Sequence, residues 1–229
     1  MPKFLKHRVI EEILSSGLVP VFYNGDIEVA KGVVKACWDG GAKAVEFTNR
    51  GDRAQGVFIE LSSWCDAEFQ DVILGACTII DPSTAAQYIN SGANFIVGPS
   101  FNKDVAKICN RRMVPYMPGC QTPTEISEAE EMGADIVKLF PANVLTPKFV
   151  KAVMGPSPRT QLMPSGGVQT DQEDIAKWIE AGAVALNIGS ELVRRDLMED
   201  HRFDVIRENV EKCLAWIRQA REIRALKGR

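Results

Sequence analysis

Apolar residues recur along the chain in one pattern: a Gly-Ala pair followed by a short and almost wholly apolar run. The pairs begin at Gly41, Gly92, Gly133 and Gly182, so successive starts are separated by 51, 41 and 49 residues. Such a spacing holds two strand–helix units, and other apolar runs lie between the pairs. The pattern predicts eight short strands, at residues 19–23, 41–47, 72–76, 92–98, 115–117, 133–139, 161–163 and 182–188. Strands that are apolar throughout are typical of parallel strands covered by helices.

The predicted helices between these strands have recognisable ends. Asp26 can cap a helix that stops at Gly40 and Gly41, and Asp81 precedes Pro82 at the first helical position, where proline is tolerated. Each Gly-Ala pair thus ends a helix and leads into the next strand. Eight strand–helix units predict an α/β fold, a (β/α)8 or TIM barrel. The alternative is an open doubly wound sheet, which leaves the fourfold Gly-Ala recurrence unexplained.

No linker or shift of composition divides the chain, so we expect a single domain over residues 1–229. It comprises an N-terminal helix at 1–16, a barrel at 17–192 and a helical tail at 193–229. Apolar residues at helical spacing in the tail predict an amphipathic helix that packs on the barrel or on a neighbouring subunit. Its basic residues are interpreted as a solvated face rather than a nucleic-acid site.

Composition and charge argue against several classes of function. The net charge of -3 argues against a nucleic-acid-binding body, and no apolar run approaches the ~20 residues that span a bilayer. The six cysteines include no Cys-x-x-Cys pair, which is typical of reduced thiols in a cytosolic protein. The two histidines lie near opposite ends of the chain, which argues against a histidine metal site. We therefore expect a cytoplasmic protein without metal or cofactor, and without nucleic-acid or membrane partners.

Two charged residues, Glu46 and Lys138, lie within apolar strands. Each is the sixth residue counted from the glycine of its Gly-Ala pair, so on alternate strands both side chains share one interior layer. Burial opposes the ammonium form, so we expect a lowered pKa and a nucleophilic amine that can attack a ketone. An ionised Glu46 would work against this shift, which leaves Glu46 as a proton carrier. The alternative is a structural ion pair that closes the top of the core.

Glycines at the ends of the last two strands predict an anion site. Ser165, Gly166 and Gly167 follow the seventh strand, and Gly189 and Ser190 follow the eighth. Glycine lets backbone N–H groups approach an anion closely, and these two loops commonly bind phosphate in this type of barrel. The alternative interpretation of the Gly-Gly pair is a tight turn.

Arg50 and Thr78 lie at the predicted mouth of the barrel. Arg50 follows Glu46 by four residues and could hold a substrate carboxylate with its two-pronged guanidinium. Thr78 offers a hydroxyl at the end of the third strand. The alternatives are a surface arginine and an ordinary strand-end threonine.

These residues belong to motifs that together resemble one family, the 2-keto-3-deoxy-6-phosphogluconate / 4-hydroxy-2-oxoglutarate (KDPG/KHG) aldolases. The resemblance covers roughly residues 8–200. The motifs are Glu46-Phe-Thr-Asn-Arg50, Gly75-x-x-Thr78 with Asp81-Pro82, Gly98-Pro99, Pro118-Gly119, Lys138-Leu-Phe-Pro-Ala142 and Pro164-Ser-Gly-Gly167. The resemblance implies a metal-free homotrimer of (β/α)8 barrels with class I (Schiff-base) aldolase activity. It would cleave a small 2-keto-3-deoxy-6-phospho sugar acid, or 4-hydroxy-2-oxoglutarate, to release pyruvate.

The resemblance also implies a role for each candidate residue. Lys138 would be the Schiff-base lysine and Glu46 the general acid and base. The pyruvate carboxylate would be held by Arg50 and Thr78, with Pro99 lining that pocket. The distal hydroxyls and phosphate would be contacted by Ser165, Gly166, Gly167 and Ser190.

Two residues near the predicted site depart from the family pattern, and two other classes of function remain open independently of these departures. Tyr23 ends the first strand where some members place an arginine, and Cys77 replaces a glycine beside Thr78. One alternative is another phosphate-binding barrel enzyme, such as a phosphosugar isomerase or synthase, in which Lys138 only binds substrate. The other is a non-catalytic binding protein.

Overall fold

The computed structural model describes residues 2–227, so the predicted domain limits at residues 1 and 229 lie outside the described residues. This part of the chain forms nine strands: β1 (Leu18–Phe22), β2 (Ala44–Thr48), β3 (Ile73–Cys77), β4 (Ile96–Val97), β5 (Tyr116–Met117), β6 (Gly119–Cys120), β7 (Val137–Leu139), β8 (Leu162–Pro164) and β9 (Leu186–Ile188). Its ten helices are α1 (Lys6–Ser16), α2 (Ile27–Asp39), α3 (Ala54–Glu68), α4 (Pro82–Asn90), α5 (Lys103–Arg111), α6 (Pro123–Glu131), α7 (Ala142–Met154), α8 (Gln172–Ala181), α9 (Arg195–Glu199) and α10 (Phe203–Lys227).

The strands form a curled parallel sheet, which confirms the predicted α/β class. Six strands follow the order β5-β4-β3-β2-β1-β9, and three more follow the order β6-β7-β8. Every pairing among these strands is parallel. A parallel bridge between Ser165 and Asn187 connects the end of β8 to β9, and only Pro118 separates β5 from β6.

The predicted fifth strand occurs as two short strands, β5 and β6. Proline has no backbone N–H and cannot donate to a ladder, so Pro118 interrupts the strand. The Pro118 carbonyl still accepts a hydrogen bond from the Lys138 amide at 2.9 Å. Residues 2–227 therefore form nine strands, whereas the sequence pattern predicted eight.

The helices begin where polar side chains cap them. The Asp26 carboxylate accepts hydrogen bonds from the amides of Glu28 and Val29 at the start of α2. Thr122 and Glu125 form a reciprocal capping box at the start of α6. Capping of this kind fixes the position at which each loop enters its helix.

Two layers of apolar side chains flank the sheet. The larger layer lies between the strands and the surrounding helices. The smaller layer fills the interior of the curl, where Val9 and Ile13 of α1 pack with Val19, Ile136 and other strand residues. Helix α1 therefore closes the end at which the strands begin, and the opposite end stays open. No helix among residues 2–227 is both long and apolar enough to cross a membrane.

Candidate active site

A buried lysine–glutamate pair lies inside the open end of the curl. Lys138 is the middle residue of β7 and Glu46 the middle residue of β2. The Lys138 Nζ atom lies 3.5 Å from Glu46 Oε1, and the two side chains are 5% and 0% exposed. The Glu46 backbone pairs with Gly75 of β3, and the Lys138 backbone pairs with Gly119 of β6. Neither charge can be left alone at such burial without a large desolvation cost, so each stabilises the other.

The pKa of Lys138 differs from the lowered value that the sequence predicts. Burial is the largest single influence and opposes the ammonium form, but attraction to the Glu46 carboxylate, together with the contacts to Cys77, outweighs it, so the pKa of Lys138 lies above its ordinary value. The lowered pKa expected from burial is therefore wrong for the protein without substrate. The amine rests as an ammonium and needs a proton acceptor before it can act as a nucleophile.

The thiol of Cys77 is a third member of this cluster, and the sequence did not assign it to the site. Lys138 Nζ donates to Cys77 Sγ across 3.5 Å, and Thr78 Oγ1 lies 3.6 Å from the same sulfur. Burial, reinforced by the Glu46 charge, raises the pKa of Cys77 to about 12. Cys77 is thus a neutral thiol that adds no charge beside the amine. The position of Cys77 at the end of β3, next to Thr78, could have identified it as a site residue.

Asn187 of β9 is a second residue that the sequence missed. Its amide nitrogen donates to Glu46 Oε2 and to the Val19 carbonyl, each at 3.0 Å. Its amide oxygen accepts a hydrogen bond from Ser165 Oγ at 2.6 Å. Asn187 is the sixth residue from Gly182, the repeat position that Glu46 and Lys138 occupy. That position could have identified it.

A cavity of about 170 Å³ opens above the buried pair and brings the other candidates together. Glu46 lies behind Lys138, is fully buried and does not line this cavity. Arg50 lies at the rim with an exposed side chain. The predicted residues on its wall are Arg50, Thr78, Pro99, Lys138, Ser165, Gly166, Gly167 and Ser190.

Thr78 adopts an uncommon backbone conformation at this cavity. Its φ angle is 62°, a left-handed value that a β-branched residue rarely adopts. Such a conformation costs roughly 1–3 kcal/mol and persists only where the surrounding structure enforces it. The surrounding structure therefore holds Thr78 in place directly after β3, on the cavity wall.

The loop after β8 presents unpaired backbone donors. Gly166 and Gly167 have φ angles of 82° and 105°, and the carbonyls of Ser165 and Gly166 accept hydrogen bonds from the first amides of α7. Within residues 2–227, the amides of Gly166, Gly167 and Ser190 donate no hydrogen bond. Convergent amides of this kind are suited to bind an anion.

A second cavity, of about 630 Å³, adjoins the first and shares Arg50 and Ser190 with it. Tyr23 and Arg195 also line it, and Arg195 Nε pairs with Glu199 Oε1 at 2.7 Å. The site therefore has a narrow reactive end and a wider outer chamber. Within residues 2–227, no three His, Cys, Asp or Glu side chains come together as a metal site would require.

The fold and site define the class of this protein: an α/β protein whose parallel strands direct a lysine–carboxylate pair into a cavity at their C-terminal ends. Such a pair is equipped for amine chemistry on a carbonyl compound. A family model described as KDPG and KHG aldolase matches residues 9–209, and the chain belongs to this family. It is accordingly an enzyme of the lyase class, an aldolase that acts on small molecules.

Individual relatives agree with this assignment. The 2-dehydro-3-deoxy-phosphogluconate aldolase of Haemophilus influenzae is 26% identical over 212 residues, which are 92% of this chain and 97% of that protein. The 2-dehydro-3-deoxy-6-phosphogalactonate aldolase of Escherichia coli is 34% identical over 134 residues, covering 56% and 62% of the two chains. The fold is shared with the KDPG aldolase of Legionella pneumophila, with a TM-score of 0.79 at 23% identity over 87% of this chain and 95% of that one.

Proposed function

We propose that the chain is a class I aldolase that cleaves 2-keto-3-deoxy-6-phosphogluconate to pyruvate and glyceraldehyde 3-phosphate through a Schiff base on Lys138. The observation that carries the proposal is the buried Lys138–Glu46 pair, whose lysine lines the cavity. The family and the phosphogluconate aldolase relatives support this substrate class. Turnover of 4-hydroxy-2-oxoglutarate is a secondary activity in this proposal.

Glu46 first converts the lysine to a nucleophile. A proton passes from the Lys138 ammonium to Glu46 Oε1, across the 3.5 Å between them. The neutral amine then attacks the C2 ketone to give a carbinolamine. Glu46 returns the proton to the departing hydroxyl, so that water leaves and an iminium ion remains.

The iminium accepts the electron pair of the C3–C4 bond. Glu46, again a carboxylate, takes the proton of the C4 hydroxyl, and glyceraldehyde 3-phosphate leaves. The same carboxyl group then protonates C3 of the enamine, and hydrolysis of the new iminium releases pyruvate and restores Lys138. The neutral Cys77 thiol contributes no competing charge to these steps.

The remaining cavity residues hold the two ends of the substrate. Arg50 and Thr78 bind the carboxylate beside the ketone, and Pro99 packs against the pyruvyl methylene. The unpaired amides of Gly166, Gly167 and Ser190 bind the phosphate. These roles are the ones that the family resemblance implies, and the shared cavity wall supports them.

We further infer a closed (β/α)8 barrel, a single domain over residues 1–229, a cytoplasmic location and a homotrimer. The bridge between Ser165 and Asn187 and the short break at Pro118 support closure of the ring. The six unpaired cysteines support a reducing compartment. Light scattering coupled to gel filtration tests the trimer, and a monomer or dimer would reject it.

Trapping of the covalent intermediate tests the mechanism. Borohydride added in the presence of pyruvate should leave a pyruvyl adduct on the peptide that contains Lys138, and EDTA should leave activity intact. Absence of the adduct would reject the Schiff base.

Lys138→Arg keeps the charge without the nucleophile and should abolish cleavage, whereas partial activity would favour an enzyme in which Lys138 only binds substrate. A panel of four keto acids compared by kcat/KM then ranks the phosphorylated and unphosphorylated substrates.

A further inference from the structure

Asn187 connects the reactive carboxylate to the glycine loop through one side chain. It is fully buried, and its amide group contacts Glu46 on one side and Ser165 on the other. Ser165 is buried and lines the reactive cavity, and its backbone bridges to Asn187. Hydrogen bonds thus run from the carboxylate through the amide to a hydroxyl at the cavity wall.

Only one orientation of the Asn187 amide satisfies its neighbours. The Val19 carbonyl and Glu46 Oε2 both lie 3.0 Å from the same amide atom. A backbone carbonyl can only accept, so the amide group between these two oxygens must be the NH₂, with one proton for each. The amide oxygen therefore faces Ser165.

This orientation determines which oxygen of Glu46 can carry a proton. Oε2 accepts the Asn187 hydrogen bond, and protonation of Oε2 would weaken that bond, so Oε2 is the less favoured proton site. Within the described part of the chain, Oε1 has no hydrogen-bond partner, although it is buried and lies 3.5 Å from Lys138 Nζ. Oε1, the oxygen that faces the lysine, is therefore the favoured site for the proton that Glu46 exchanges.

The same orientation determines what Ser165 can offer a ligand. A hydroxyl has a single proton, and that of Ser165 is committed to the Asn187 oxygen at 2.6 Å. The two lone pairs of the oxygen can accept a hydrogen bond from a ligand hydroxyl. They repel a carboxylate or phosphate oxygen, which also needs a donor.

We propose that Asn187 is a positioning residue that directs the Glu46 proton to Oε1 and makes Ser165 an acceptor for a substrate hydroxyl. This inference rests on the proposed aldolase function and refines its substrate class. The favoured substrates carry a hydroxyl on C5, the carbon next to the C4 hydroxyl carbon, as 2-keto-3-deoxy-6-phosphogluconate does. A substrate with a carboxylate there, such as 4-hydroxy-2-oxoglutarate, is disfavoured, and Ser165 is removed from the phosphate-binding set.

Kinetics of Ser165→Ala test the substrate preference, with Ser127→Ala on the exposed face of α6 as the matched control. Loss of one hydrogen bond should lower kcat/KM for the phosphogluconate substrate by roughly 10-fold. The value for 4-hydroxy-2-oxoglutarate should change by less than about 2-fold, and so should inhibition by inorganic phosphate, because neither uses the Ser165 acceptor. An equal loss for both substrates, or weaker phosphate inhibition, would overturn the acceptor assignment.

Asn187→Leu tests the positioning role. It should lower kcat for both substrates and shift the pH profile of kcat/KM, because Oε2 of Glu46 loses its donor and becomes free to take the proton. A pH profile identical to that of Ser127→Ala would contradict the positioning role. Urea unfolding of each variant identifies any loss of folded protein.

Proton exchange separates this inference from the aldolase proposal. In protein labelled with ¹⁵N-asparagine, one side-chain amide pair that is absent from Asn187→Leu should exchange slowly with D₂O. Rapid exchange would overturn the hydrogen-bond assignment, even if the pyruvyl adduct forms on Lys138. Slow exchange without a pyruvyl adduct would refute the aldolase mechanism and leave the assignment of the amide intact.

Discussion

At the scale of single residues, the chemistry of Lys138 depends on one carboxylate. Burial alone would favour a neutral amine, but the Glu46 charge at 3.5 Å, together with the contacts to Cys77, reverses the direction of the pKa shift. The resting protein therefore holds an ion pair, and substrate binding must make proton transfer within the pair favourable. The substrate ketone drives this transfer forward, because attack by the neutral amine consumes the deprotonated form.

Glu46→Gln should reverse the pKa shift of Lys138. The substitution keeps the shape and burial but removes the attraction, so desolvation should take the pKa of Lys138 below its ordinary value. Trapping of pyruvate with cyanoborohydride, followed from pH 6 to 10, should reach half its maximal rate at a lower pH than in the wild type. Turnover should still fall by about 10²- to 10⁴-fold, because the proton carrier is lost. Glu60→Gln, on the exposed face of α3, is the matched control.

The same variant should change how stability depends on pH. In the wild type the raised pKa of Lys138 stabilises the fold below the unfolded pKa of about 10.4, and this contribution is lost as the pH rises through the folded pKa. In Glu46→Gln the lowered pKa gives the opposite sign, so stability increases as the pH rises from the folded pKa to the unfolded one. The wild-type advantage in the free energy of unfolding should therefore shrink from pH 7 to 10.5. A constant difference in urea unfolding would contradict this.

Sequence reasoning found the charged residues of the site more readily than the neutral ones. Lys138 and Glu46 were conspicuous because charges are rare in apolar strands, and their shared repeat position predicted a common layer. Asn187 occupies the same repeat position, but an uncharged amide is less conspicuous in an apolar strand than a charged side chain, so the sequence did not identify it as a site residue. The direction of the Lys138 pKa shift could not be predicted, because it depends on a distance between strands that are far apart in sequence.

At the scale of elements, the glycine loop after β8 and the start of α7 fix each other. The carbonyls of Ser165 and Gly166 accept from the amides of Ala142 and Asn143 at 2.7 and 2.8 Å. This pairing uses the first donors of α7 and leaves the amides of the loop for a ligand. The Gly-Gly pair predicted the loop, but its pairing with α7 requires the folded arrangement of β7 and β8.

Gly167→Ala should disrupt this loop. Gly167 has a φ angle of 105°, and an added Cβ would lie 2.6 Å from the Cβ of Asn143, so the loop must shift. We expect at least about a 10-fold rise in KM for the phosphorylated substrate, with a smaller change for 4-hydroxy-2-oxoglutarate, because phosphate loses backbone donors. Gly56→Ala is the control: it lies in α3 with no atom within 4 Å of the new Cβ, and it should keep KM while stabilising the helix slightly. Unchanged KM in Gly167→Ala would remove the loop from the phosphate site.

At the scale of the whole molecule, the C-terminal and N-terminal ends of the strands have different roles. The C-terminal ends of the strands carry the reactive cavity, and α1 closes the other end with Val9 and Ile13. Helix α10 runs along the side of the fold, packs against α2 and α8, and reaches the closed end. Apolar spacing predicted a helix in the tail, but the periodicity could not show which barrel helices it would contact.

Arg221 of α10 joins three parts of the closed end. Its guanidinium donates to the carbonyls of Leu14 and Ser15 at the end of α1 and to that of Val184 before β9, at 2.8, 2.6 and 2.6 Å. Cationic donors suit the last carbonyls of a helix, which have no partner within it. Gly17 also leaves room for the guanidinium, since a Cβ there would lie 2.4 Å from it.

Arg221→Ala should therefore destabilise the whole fold without affecting catalysis. Three carbonyls lose a charged donor, and each such hydrogen bond contributes about 1.5–3 kcal/mol when its partner is buried. Water can replace part of this loss at a half-exposed site, so we expect a decrease of about 2–4 kcal/mol in the free energy of unfolding by urea. Arg218→Ala, the same change on an exposed position one turn earlier in α10, should cost less than about 0.5 kcal/mol. Both variants should keep the wild-type kcat/KM, because the reactive cavity lies at the opposite end of the strands. Equal stabilities for the two variants would show that α10 is held by its apolar face alone and that the Arg221 hydrogen bonds add nothing to the closed end.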